Sequence, residues 1–123
     1  MKFKTWAMIK AVVALVFGVP MVLAPGWLFS YFGVALGSAG ALPARSYGAA
    51  MLGYLMVCWF ARNADKSDAR KAIVVALFVY DLVGFVASLY AQLSGMMNGL
   101  GWVIVFIYLF FTVGFGCILM RDT

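Results

Sequence analysis

The sequence predicts an all-α, polytopic membrane protein: four transmembrane helices in an antiparallel bundle, with the N- and C-termini cytoplasmic. Three observations carry this. Of the 123 residues, 67% are hydrophobic and 11% charged, where a soluble domain runs near ~45–50% and ~25%; the mean hydropathy is +1.06. The apolar residues gather in four runs, each near the ~20 residues a helix needs to cross the hydrocarbon core. Lys and Arg are distributed almost entirely to one side of a four-span arrangement.

The elements follow in order, as one domain covering residues 1–123. The first span covers about residues 5–23, with Pro20 near its outer end as a kink. Its basic start and the small residues around Val22-Leu23-Ala24 imitate a secretory signal, but Pro25 would follow the scissile bond and block cleavage, so the segment reads as retained. Residues 25–43 form the one long connection, and Pro25-Gly26-Trp27-Leu28-Phe29-Ser30-Tyr31-Phe32-Gly33 within it is aromatic and uncharged. It reads as an interfacial segment with Trp and Tyr at headgroup depth; a re-entrant lid over a central cavity is the alternative. The second span covers about residues 44–61, the third 72–93 and the fourth 100–120. All are helices, because the open edge of a strand finds no hydrogen-bond partner in lipid.

Lys2, Lys4, Lys10, Arg62, Lys66, Arg70, Lys71 and Arg121 share one side of this layout, and Arg45 alone lies toward the other. The positive-inside rule therefore puts both termini and the 62–71 loop in the cytoplasm, in a cell inner (plasma) membrane. A net charge of +5 beside apolar spans points to anionic membrane lipid as the partner, with no nucleic acid. The chain has no histidine and no glutamate, which excludes bis-histidine haem, histidine proton relays and the usual zinc sets. It carries no P-loop, GxSxG, HExxH or dinucleotide fingerprint. No catalytic residue, cofactor or metal is expected, and Cys58 and Cys117 read as small hydrophobes.

Asp81 stands out because it lies about ten positions into the third span, near mid-membrane. A carboxylate at that depth costs at least ~2.5–3.5 kcal/mol unless it is paired, protonated or hydrated, so it should face the bundle interior. Gly84, Ser88 and Gln92 follow on the same helical face and extend a polar stripe outward. Arg45, at the outer start of span two, is the expected counter-charge. Tyr47, Tyr54, Tyr108 and Thr112 are the expected hydroxyl partners, although such residues also serve simply as interhelical hydrogen bonds. In this reading Arg45→Ala destabilises the protein far more than Arg62→Ala.

The run Arg45-Ser46-Tyr47-Gly48-Ala49-Ala50-Met51-Leu52-Gly53, continuing to Trp59-Phe60-Ala61-Arg62, Ala69-Arg70-Lys71-Ala72 and Asn98-Gly99-Leu100-Gly101-Trp102, resembles a group of small uncharacterised four-span bacterial membrane proteins. In layout that group is similar to the DoxX-like proteins and the four-span scaffold protein of ergosterol biosynthesis. The resemblance covers most of the chain and implies a fold and a location, with no activity attached. The leading functional expectation is a non-enzymatic accessory, scaffold or self-associating subunit, as a homo-oligomer or within a larger membrane complex. The alternatives are a small-solute or proton-coupled carrier using Asp81, or a lipid- or quinone-binding protein.

Overall fold

Proline and glycine decide where the helices stop. Ala24 precedes Pro25, a position that disfavours helical backbone, and α1 (Phe3–Leu23) ends there. Pro25 then opens the short α2 (Pro25–Ser30), where its missing N–H costs nothing. Gly33, at φ +75°, closes α2: the Gly33 and Val34 N–H groups donate back to Ser30 and Phe29 in the left-handed cap that glycine favours. After α3 (Ser38–Ala61), the Ser67 hydroxyl accepts from the Arg70 N–H at 3.2 Å and begins α4 (Asp68–Leu93). Gly95, at φ +77°, ends α4 by the same device as Gly33. Last comes α5 (Gly101–Arg121). This computed structural model describes residues 2–121, among which there is no strand.

Three of these helices, α1, α4 and α5, are long and apolar enough to cross a membrane, with stretches of mean hydropathy 2.1, 2.3 and 2.6. The 24 residues of α3 are diluted by Arg45, its tyrosines and its glycines. Large apolar side chains point outward, with Phe60 78% and Met120 84% exposed. Water penalises such a surface and lipid does not, which marks a multi-pass membrane protein. The helices also overrun the apolar runs that announce them. Ser38, not residue 44, starts α3, and Asp68, not residue 72, starts α4, because polar first turns are helical without being hydrophobic.

The four long helices run alternately up and down. Gly18 of α1 meets Met51 and Leu52 of α3 while Gly48 of α3 meets Met21 and Val22 of α1, an order that only antiparallel helices produce. Gly84 under the Tyr108 ring and Gly116 against Phe78 show the same for α4 and α5. The α1 stripe of Ala7, Ala11, Ala14 and Gly18 is buried, and small residues at this spacing let two backbones approach closely. The result is two tight pairs, α1 with α3 and α4 with α5, which come together where α1 meets α5. There the Trp6 indole fills the space over Gly114 and packs on Phe110, Phe111 and Phe115.

Two apolar cores result, with a polar layer between them. At the end where α1 begins and α5 finishes, Phe3, Trp6, Cys58, Val74, Leu77, Phe115 and Ile118 pack together. At the opposite end Met21, Ala44 and Met51 pack with Phe17, Leu28, Phe29 and Leu36. The close approach at Gly48 is the tightest on the α1–α3 seam, since a Cβ there would stand 2.8 Å from Val22 and 3.0 Å from its backbone nitrogen. Gly48→Ala should therefore cost about 1–3 kcal/mol by overpacking, read as a lower melting temperature in detergent. Gly53→Ala, where a Cβ meets nothing within 4 Å, should leave the melt unchanged or raise it, because alanine is the better helix former.

Candidate functional site

Asp81 is fully buried, as its depth in α4 predicts, but its partner is Lys10 of α1 and not Arg45. The Lys10 Nζ donates to Asp81 Oδ1 at 2.5 Å, and Lys10 itself is only 3% exposed. The geometry explains the correction. Arg70 of α4 lies over the Phe3 ring of α1, so α4 starts further toward the terminal end than α1 does. From that shared level Lys10 is seven residues along its helix and Asp81 eleven, a difference of about 6 Å at ~1.5 Å per residue. A lysine side chain spans that distance. Lys10 therefore does not belong with the basic flank of the chain, where charge counting put it.

Arg45 is spent elsewhere. Its Nε donates at 3.1 Å to the Val22 carbonyl, one of the last carbonyls of α1, which have no partner within their own helix. A cation there also complements the helix dipole.

The Lys10 ammonium is caged as well as paired. It stands 4.5 Å from the ring centroid of Phe111, 4.6 Å from Tyr80 and 5.1 Å from Tyr54, a cation over several aromatic faces. Asp81 Oδ2 is buried with no hydrogen-bond partner. Above the pair, four tyrosine hydroxyls converge from three helices. Tyr47 is bonded to both Tyr80 and Tyr108, Tyr54 lies 3.2 Å from Tyr80, and Tyr80 lies 3.3 Å from Tyr108.

Of the predicted hydroxyl partners, Tyr47, Tyr54 and Tyr108 thus join one cluster, but they bond to one another instead of bridging Asp81 to Arg45. Thr112 turns back to the Tyr108 carbonyl at 2.7 Å. Ser88 donates to the Phe85 carbonyl of its own helix. The Gln92 amide donates to the Asn98 carbonyl at 3.1 Å. Sequence reasoning missed Lys10 and Tyr80. Lys10 sits between Ala7, Ala11 and Ala14 on the small-residue face of α1, and Tyr80 lies one turn before Gly84; both spacings were readable.

Between the two helix pairs, where α3 and α4 do not close on each other, lies a cavity of about 320 Å³. Its floor is Lys10 and the tyrosine cluster, and its walls include Val13, Phe17, Met51, Ile104 and Ile107, with Gly84 and Ser88 from the polar stripe of α4. α2 roofs it. Phe29 points into the cavity and Phe32 is buried, while Trp27 and Tyr31 stay about half exposed and pack edge to face. The residue 27–32 segment thus presents an aromatic outer face and a lid-like inner one. Asn98 ties that roof to the α4–α5 loop, its backbone donating to the Phe32 carbonyl and its side chain to the Tyr31 carbonyl at 3.0 Å.

Comparison with family models, with curated proteins and with solved structures finds no match to this chain.

The buried pair predicts a sharp ordering of stabilities. Lys10→Met strands a buried carboxylate and should cost about 3–5 kcal/mol. The double variant Lys10→Met/Asp81→Leu should recover most of that loss, and Arg45→Ala should cost about 1 kcal/mol or less as a lost helix cap. Melting of the four proteins in one detergent checks the order. An Arg45 variant weaker than the Lys10 variant would place the key charge at the wrong end.

Proposed function

We propose that this chain is a non-enzymatic four-span membrane protein that holds one amphipathic small molecule with an uncharged polar head, a quinone or a neutral lipid, in the centre of its bundle. The single observation that carries this is the cavity of about 320 Å³, which has tyrosine hydroxyls and Lys10, its charge neutralised by Asp81 behind it, at one end and aliphatic and aromatic walls elsewhere. Pockets built this way bury the apolar body of a ligand and orient it with a few polar groups. Lys10 and Asp81 cancel one another, so a charged head gains little there. Tyrosine hydroxyls both donate and accept and suit a carbonyl or hydroxyl.

α3 serves as the fourth span in this reading, its tyrosines facing the cavity and its small residues facing α1. The distribution of Lys and Arg supports cytoplasmic termini and an inner (plasma) membrane location. The absence of histidine and glutamate from the sequence supports a binding role over a catalytic one. An accessory or self-associating role is compatible with it, since the outward apolar faces suit lipid and a neighbouring subunit equally. The resemblance to small four-span bacterial membrane proteins fits the same layout.

A proton-coupled carrier is favoured by one specific feature, the buried and unpartnered Asp81 Oδ2, since an intramembrane carboxylate is a natural proton site. Asp81→Asn should then abolish pH-dependent solute flux in proteoliposomes; unchanged flux excludes the carrier.

The binding reading is tested by extracting the purified protein with organic solvent and identifying the retained molecule by mass spectrometry. Wild type should yield one amphiphile enriched over bulk membrane lipid. Ile104→Trp, which fills the cavity, should lose it while melting normally, and Tyr108→Phe should weaken its retention by about tenfold, the worth of roughly one hydrogen bond. The same molecule recovered equally from the filled variant would put it on the outer surface and end the proposal.

A further inference from the structure

At the opposite side of the terminal core from the Lys10–Asp81 pair, a cleft of about 420 Å³ opens where the ends of the long helices meet. Six cationic side chains line it: Lys2 and Lys4 from the start of α1, Arg62 and Lys66 from the α3–α4 loop, Arg70 from α4 and Arg121 from the end of α5. Among the described residues no acidic side chain lines it; Asp65 on the α3–α4 loop and Asp68 at the start of α4 are exposed and lie outside it. A topology signal requires only that basic residues lie on one side of the membrane. It does not require three stretches far apart in the chain to bring them to one cavity.

Two of the guanidinium groups are held in place by aromatic rings. Arg62 lies 3.9 Å from the Trp59 ring centroid and donates to the Trp59 carbonyl. Arg70 lies 4.6 Å from the Phe3 ring and donates to the Ala64 carbonyl at 3.3 Å. A stacked guanidinium has a fixed plane, so less entropy is lost when it meets a phosphate. Arg62 keeps further N–H donors beyond its one backbone bond. Outside the cleft, Trp59 and Phe60 are exposed on the apolar flank of α3, where acyl chains would lie.

We infer that this cleft is a binding site for the phosphodiester headgroup of an anionic phospholipid, with Arg62 and Arg70 on the phosphate oxygens, Lys2, Lys4, Lys66 and Arg121 supplying the surrounding field, and the acyl chains along the α3 flank. Basic pockets between membrane helices recognise anionic headgroups by this chemistry. The site is separate from the central cavity and takes a charged head where the cavity takes an uncharged one. It shares with the proposed function only the membrane setting.

The test is native mass spectrometry of the full-length protein in mild detergent, titrated in parallel with phosphatidylglycerol, phosphatidylcholine and glycerol phosphate. Phosphatidylglycerol should be retained about tenfold or more over phosphatidylcholine. Glycerol phosphate should compete only weakly, because it has no acyl chains. The triple variant Lys4→Gln/Arg62→Gln/Arg70→Gln should erase the preference, while Lys71→Gln, just outside the cleft, and Arg45→Gln, at the far end, should keep it. Wild-type selectivity decides the matter even if the triple variant folds poorly. Equal retention of the two lipids overturns the site, as does equal loss in the Lys71 control. Competition by glycerol phosphate as strong as by lipid overturns the phospholipid assignment. Loss of phosphatidylglycerol selectivity leaves recovery of the central amphiphile unaffected, and loss of the amphiphile leaves this selectivity unaffected.

Discussion

The ion pair between Lys10 and Asp81 is the constraint around which the rest of the bundle is arranged. Two opposite charges buried in an apolar interior are tolerated only when they meet each other, and these two come from helices that are separated by 71 positions in the chain. Their contact fixes the axial register of α1 against α4. The two tight helix pairs could otherwise slide along each other, since apolar surfaces that interlock only through small residues have several comparable registers. The aromatic cage adds to this. Phe111, Tyr80 and Tyr54 come from α5, α4 and α3, so the Lys10 ammonium touches every other long helix of the bundle.

The cavity follows from the same constraint. Close packing of α1 on α3 and of α4 on α5 uses up the small-residue faces, which leaves the α3–α4 side to be bridged by side chains long enough to reach across. Tyrosines reach, and their hydroxyls satisfy one another in the gap. Four hydroxyls carry four donor protons, and four hydroxyl contacts join them. A hydroxyl turns freely about its C–O bond, so one of these protons can swing from its neighbour to a ligand carbonyl. Beyond it the walls turn apolar, and α2 closes the far end through Phe29 and the Asn98 clasp. A polar floor, an apolar shaft and a roof thus arise from one packing problem.

The two ends of the molecule then differ in chemistry for a structural reason. The terminal end gathers the starts and stops of all four long helices and nearly all of the basic residues, so it faces charge. The loop end carries an aromatic helix and a single arginine engaged in capping α1, so it faces an apolar or interfacial environment. Between them the neutral pair separates a site suited to anionic headgroups from one suited to an uncharged head.

Composition and patterning by themselves determined the helical class, the number and order of the long helices, the interior burial of Asp81 and the inward polar stripe of Gly84 and Ser88. Each of these depends on local quantities: apolar run length, the cost of a carboxylate in lipid, and the helical repeat. The tertiary structure alone decided the partner of Asp81. Counting rises along the helices compared Asp81 only with Arg45, because its charge had already assigned Lys10 to the basic flank. It also sent Arg45 to Asp81, when a helix terminus one turn away offered free carbonyls. Lys10 looked like one more charge on a basic flank, although its neighbours Ala7, Ala11 and Ala14 already showed which face it was on. Relative helix register is a property of pairs of helices, and no single helix carries it.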